Sequence, residues 1–217
     1  MSILHHPDAA TLMSFAGGGL AAPLAAVVAS HMALCPRCRN DVARLTEIGA
    51  AAFATAPPEP VEHPIPIMLL RATEAEITGG HAERPEPPDS DVPPAIAQFV
   101  GARLDAIQWR RLGIGIWHMP IHLGGAQRGD LRLLKIAPGR PMPEHGHRGA
   151  ELTLVLAGRY RDEVGEFARG DVADLDEEVE HRPVSDAVEG CICLIASERR
   201  ARFTGMLGRV LQPLTGM

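Results

Sequence analysis

The 217-residue chain is 46% hydrophobic and carries 22% charged residues, enough apolar material for one large domain or two small ones and too much for a disordered chain. Its formal net charge of -6 excludes a binder that relies on neutralising nucleic-acid phosphates with a basic face. Neither a basic-then-apolar secretory leader nor an uninterrupted apolar run of membrane-spanning length is present, so a cytoplasmic location is expected, and with it reduced thiols.

Residues 8–55 are Ala-rich with helical spacing, and three short helices are expected there. Asp8 caps the first, which runs through residue 15 and stops at Gly17, Gly18 and Gly19. The second covers 20–33, with Pro23 in its first turn, where the missing N–H costs nothing. The third covers 36–55 and opens on Pro36. Between these two helices lies HMALCPRC (31–38), which holds a histidine and two of the four cysteines.

If the second helix reaches His31, its imidazole lies one turn before Cys35. Cys35 then caps the third helix, and Cys38 returns to the same side three residues on. All three reach one tetrahedral ion, and the N–H groups at the start of the third helix are expected to favour thiolate. A soft N/S set of this kind selects Zn²⁺. A fourth ligand comes from His5 or His6, with His6 preferred because it adjoins the start of the first helix. The competing readings are a metal-free redox CxxC and a chance cluster; HxxxCxxC is the stronger signal for zinc.

From Pro57 to Pro94 prolines recur (APPEPVEHPIP, RPEPPDSDVPP), with one candidate helix over 67–77 between the two clusters. Proline fixes its own torsion and restricts its neighbour, so this segment reads as a semi-rigid connector. After a candidate helix over 95–104 the period changes to that of strands: LRLLKIA (131–137), ELTLVLAG (151–158), RYRDEVGEF (159–167), DVADL (171–175) and GCICLIAS (190–197). Short strands at close spacing indicate a β-sandwich or small barrel. The expected fold is therefore α + β in two domains. A small all-α zinc-binding helical domain (1–80) and a Pro-rich linker (81–94) precede an all-β barrel (95–217).

Within the strands, Gly139-RPMPE-His145-Gly-His147-RGA-Glu151-LTLVLA-Gly158 satisfies G(x)5HxH(x)3E(x)6G, the first cupin motif, at every specified position. His145 and His147, two apart on an extended strand, project to one face, and a hairpin return brings Glu151 to them. His181 follows Gly170 by the spacing of the second cupin motif, although Asp176, Glu178 and Ser185 stand where that motif has Pro, Gly and Asn. Three imidazoles and a carboxylate suit a divalent Zn, Fe, Mn or Ni ion. The site is either that of a cupin oxygenase or isomerase, or a structural or sensing centre. His63 and His81 in the connector, and His118 and His122 at the start of the barrel, read as surface or packing residues. Cys191 and Cys193 share one face of their strand, with Ile192 and Leu194 on the other. They read as small core residues or, given the CxC spacing, as an oxidation-responsive pair.

The HxxxCxxC module with its upstream His resembles the zinc-binding anti-sigma domain, and the order of zinc module, connector and cupin motif resembles the ChrR-type anti-sigma factors over nearly the whole chain. The resemblance implies a jelly-roll barrel for the second domain. It implies an extracytoplasmic-function (group IV) sigma factor as partner in a 1:1 heterodimer, held by the helices, with structural zinc tying them together. It further implies that the cupin domain receives an oxidative signal, singlet oxygen or organic peroxide, and prompts release. On this reading the chain is not an enzyme and touches neither nucleic acid nor membrane. The rival is a metal-dependent cupin dioxygenase or isomerase with an accessory zinc module.

Overall fold

The computed structural model describes residues 2–57, 90–124, 128–143, 145–146, 149–199 and 202–203. The candidate helix over 67–77, with most of the Pro-rich connector, lies outside the described residues, as do His63, His81 and His147.

The three expected helices form. In α1 (Ala9–Ala16) the Asp8 carboxylate accepts from the Thr11 N–H at 2.6 Å, and the helix ends at Gly17. In α2 (Ala22–Leu34) the residues Leu24, Val27, Val28 and His31 are buried, an i, i+3, i+4, i+7 stripe. α3 (Pro36–Thr55) begins one residue after α2 ends, because Cys35 adopts extended torsions and serves both helices. Its N–H donates to the His31 carbonyl at 2.8 Å, while its Sγ accepts from the Cys38 N–H at 3.5 Å. Beyond its first turn α3 is largely exposed, with Cys38 its one buried residue.

The helix expected over 95–104 is shorter than predicted. α4 (Pro94–Val100) stops at Gly101, whose φ of 89° lies in the left-handed region, and Leu104 begins a separate 3-10 turn. A hairpin that the strand pattern did not single out follows, β1 (Arg110–Gly113) and β2 (Ile116–Pro120). Then come β3 (Asp130–Ile136), β4 (His145–Gly146), β5 (Glu151–Arg161), β6 (Glu166–Ala168), β7 (Val172–Leu175), β8 (Glu180–His181), β9 (Val184–Ser185), β10 (Cys191–Ser197) and β11 (Arg202–Phe203). ELTLVLAG and RYRDEVGEF are not two strands split at Gly158; β5 runs through both to Arg161.

Gly158 (φ 68°) is instead the point where β5 changes partners. Before it β5 lies between β10 and β7; after it, between β9 and β6. A Cβ there would stand 2.1 Å from the Gly190 carbonyl oxygen, so the backbones meet where only glycine fits. The result is an eight-stranded sheet ordered β1-β2-β3-β10-β5-β6, with β7 and β9 also on β5, and a separate sheet β11-β4-β8. Among the described residues these ladders do not close into the single barrel expected from the strand spacing. Among the described residues the strands form two sheets, because the long central strand hands its edges to different partners on either side of Gly158.

The large sheet buries both faces. Leu131 and Leu133 of β3, Leu152 and Leu154 of β5, and Leu194 and Ala196 of β10 pack with Leu24, Val27 and Val28 of α2 and Ile96 of α4 in one core. On the opposite face Val155, Tyr160, Phe167, Leu175, Cys191 and Cys193 form a second cluster. Val27 and Val28 are fully buried, each worth about 1.5–3 kcal/mol relative to exposure, so α2 is fastened to the sheet rather than tethered beside it.

Candidate metal centres

His6, His31, Cys35 and Cys38 come together: one donor atom from each lies within 4.8 Å of all the others. His6 Nδ1 is 3.5 Å from Cys35 Sγ and 3.4 Å from Cys38 Sγ. The α2–α3 junction supplies the other three side chains. His31 ends the buried stripe of α2, and the Cys35 cap turns the chain so that Cys38, in the first turn of α3, faces it. No other cluster with metal-like spacing occurs among the described residues.

The fourth member arrives on an extended N-terminal segment that lies along the sheet. The N–H groups of Leu4 and His5 donate to Asp171 Oδ1 at 2.7 and 3.0 Å. The Val172 N–H donates to the His5 carbonyl at 3.1 Å, and the Asp8 N–H to Asp174 Oδ2 at 2.9 Å. Extended backbone sends neighbouring side chains to opposite sides. His6 therefore enters the cluster, while His5 turns to the sheet, its ring 4.5 Å from that of Phe167.

His31 is fully buried, and its Nδ1 donates to the Gly170 carbonyl at 2.9 Å. That bond fixes the tautomer and leaves Nε2 as an acceptor, buried and without a hydrogen-bond partner among the described residues. Burial holds the His31 imidazole down at about 4 and also lowers His6, so both rings are neutral at neutral pH. Burial, and then the neighbouring Cys35, push the Cys38 thiol up to about 12. In the absence of a cation, desolvation dominates at Cys38. Bound between His6 Nδ1, His31 Nε2 and the two sulfurs, a divalent ion would supply the positive charge that favours thiolate. The donor set fits zinc.

The second constellation is partly assembled. Glu151 and His181, both buried, line a cavity of about 40 Å³ together with Thr153, Tyr160 and Cys193. His145 lies directly opposite His181 in the β4–β8 ladder. His147 falls outside the described residues. Sequence reasoning missed Asp162, in the turn after β5, whose Oδ2 accepts from His181 Nδ1 at 2.7 Å. Its Oδ1 accepts from the Val164 and Gly165 N–H groups at 2.9 and 3.1 Å, an Asx-type turn. Burial would raise this carboxyl, but the bonds from His181 and the turn outweigh it and hold the group below the ordinary carboxylate range. A carboxylate behind a histidine is the arrangement that orients an imidazole toward a metal. The sequence pattern placed Asp162 inside the expected strand over 159–167, whereas β5 ends at Arg161 and Asp162 opens the turn that follows.

Tyr160 Oη, at the cavity wall, is buried without a hydrogen-bond partner among the described residues. The Cys191 and Cys193 sulfurs are 3.2 Å apart, both buried and both free thiols. Cys193 also lines the cavity, and its thiol is held well above the ordinary range by the Cys191 contact and by burial. His118 stands with Nδ1 3.5 Å from Arg132 Nη1 and, like His122, joins neither constellation.

Residues 97–200 match the family of the ChrR cupin-like domain. Over 219 residues, covering 98% of each chain, the sequence is 36% identical to the anti-sigma-E factor ChrR of Cereibacter sphaeroides. The structure is similar to a chain in the crystal structure of Rhodobacter sphaeroides SigE in complex with the anti-sigma ChrR, with a TM-score of 0.72 and 35% identity over 90% of this chain and 100% of that one.

Proposed function

We propose that this chain, which belongs to the ChrR family of anti-sigma factors, sequesters a group IV sigma factor in a 1:1 cytoplasmic complex and releases it on an oxidative signal. The role is regulatory, not enzymatic, and the oxygenase or isomerase alternative has no comparable support. The observation that carries the reading is the four-residue His/Cys cluster, in a chain matched end to end by a protein named for its sigma partner. No helix among the described residues is long and apolar enough to cross a membrane.

The division of labour is a zinc-binding helical part (1–80), a connector (81–94) and a cupin part (95–217). His6, His31, Cys35 and Cys38 would hold zinc, whose contribution is structural: it fixes the N-terminal segment, the end of α2 and the start of α3 as one unit. That unit presents α3, whose Ile48 and Phe53 are 66% and 84% exposed, apolar groups available to another polypeptide. His145, His147, Glu151 and His181 would hold a divalent ion in the cupin part, oriented in part by Asp162. A jelly-roll closure of that part is the finer fold assignment. Singlet oxygen or an organic peroxide is the proposed input, with Cys191 and Cys193 as candidate redox groups.

The test is co-expression with the group IV sigma factor encoded beside the gene. A zinc-containing 1:1 complex by light scattering, lost on Cys35→Ser or Cys38→Ser, is the expected outcome. Capture of the sigma factor by zinc-free variants would overturn the reading.

A further inference from the structure

The turn between β6 and β7 touches the front cluster from two directions. Its Gly170 carbonyl accepts from His31 Nδ1, and its Asp171 carboxylate holds the backbone of Leu4 and His5, immediately before His6. The sheet thus holds the segment that delivers His6 and orients the ring of His31, which α2 supplies. The second oxygen of Asp171 accepts from the Ala168 N–H at 2.9 Å, so one side chain both shapes the turn and grips the N-terminal segment. Gly170 has φ 94°, and a Cβ there would stand 2.8 Å from the Ile3 side chain, so the segment seats directly on the turn.

The same segment also reaches the side of the sheet that bears the cavity. His5 lies 4.5 Å from Phe167, and Phe167 stacks on Tyr160 at 5.0 Å with the rings 19° apart. Tyr160 lines the cavity with Glu151 and His181. A Cβ on Gly165, in the turn that Asp162 closes against His181, would meet His5 Nε2 at 3.6 Å. The residue beside His6 thus rests on two elements that frame the second site.

We propose that the β6–β7 turn, with Asp171 as its positioning residue, is a latch by which the cupin part sets how firmly the front cluster holds its ion. The Tyr160–Phe167–His5 stack is the end of that latch nearest the cavity. The inference rests on the metal-binding reading of His6, His31, Cys35 and Cys38. A latch of this kind works by energy and not by proximity alone: a displaced turn withdraws two charge-assisted bonds from the segment that delivers His6 and frees His31 to rotate.

The full chain is loaded with Co²⁺ in a Cys191→Ser/Cys193→Ser background, so that thiolate-to-cobalt absorption reports only Cys35 and Cys38, and ion loss to excess chelator is timed. Asp171→Ala is expected to speed loss about tenfold or more, the scale of losing bonds to a charged acceptor. Ile3→Ala and Phe167→Leu are expected to speed it several-fold. Hydrogen exchange at the Leu4, His5 and Val172 amides should quicken in step in Asp171→Ala and Ile3→Ala, a readout that a general loss of stability, followed by far-UV circular dichroism, would not confine to these sites. Should Asp171→Ala fail to fold, Ile3→Ala decides, since it leaves every sheet side chain in place. Parental loss rates in the folded variants would overturn the latch while leaving the metal reading intact. Absence of thiolate absorption in the parent would overturn the metal reading and the latch with it.

Discussion

Replacing Asp162 by Asn removes the negative charge from behind His181: with its one oxygen still accepting from the Val164 and Gly165 N–H groups, its amide NH2 stands where Oδ2 accepted from the imidazole. The 2.7 Å separation and the burial of both side chains make this a charge-assisted bond that fixes the ring. Loss of such a partner lowers metal affinity about 10- to 100-fold, or roughly 1.4–2.7 kcal/mol. The assay is competition with a chelator of known affinity for a divalent ion, in a Cys35→Ser/Cys38→Ser background so that the front cluster is silent. Asp162→Ala should cost more, because it also releases the two turn N–H groups. An affinity for Asp162→Asn within twofold of the parent would show that Asp162 serves the turn alone and does not hold His181 as a ligand.

Gly158→Ala should destabilise the fold by about 2–3 kcal/mol, combining the left-handed torsion cost of ~1–2 kcal/mol with loss of the Arg159 N–H bond to Gly190, worth ~1 kcal/mol; a melting temperature lowered by less than about 4 °C would refute the backbone clash. Metal-stripped protein should lose stability on acidification from its His31. Because burial lowers that imidazole from 6.5 to about 4, the unfolded chain binds the proton first, so the contribution is complete above pH 6.5 and falls away toward pH 4, by about 3 kcal/mol in denaturant titrations. A His31→Gln variant with the same pH slope would refute the assignment. Serine at both Cys191 and Cys193 should leave folding intact and abolish peroxide-driven release of the sigma factor from the purified complex; unchanged release would return the pair to a packing role.

The helical part was legible because its signals are local. Asp8, Pro23, Cys35 and Pro36 act within one turn of their own positions, and the spacing of His31, Cys35 and Cys38 is itself the geometry of the α2–α3 junction. The cupin motif was legible for the same reason, down to Gly158, although the sequence suggested a turn there and the structure uses the residue to change strand partners. What escaped was long-range. Asp162 acts on His181 from 19 positions away, and Asp171 on Leu4 from 167, and no local pattern marks either. The β1–β2 hairpin was missed because its strands are only four and five residues long and show no clean alternation of buried and exposed positions. Helical spacing placed α2, but neither its burial nor its cover, the sheet, was legible.

That cover bears on how a signal in one part reaches the other. Were the helices joined to the sheet only through the connector, an event at Glu151 and His181 would have no differential effect on the bound and released states. Here α2 shares its core with β3, β5 and β10, and β5 and β10 carry Glu151 and Cys193 on their opposite face. A change that shifts β5 against β10 must alter either the packing of Leu24, Val27 and Val28 or the register held at Gly158. Coupling of this kind is reciprocal: whatever weakens the sigma complex when the cavity changes is weakened to the same degree by sigma binding in its affinity for the cavity's ligand. The sigma complex and the free chain should therefore differ in their affinity for the cavity ion. Equal affinities, measured by the same chelator competition on both, would mean that the signal travels by destruction of the chain and not by a shift between two of its states.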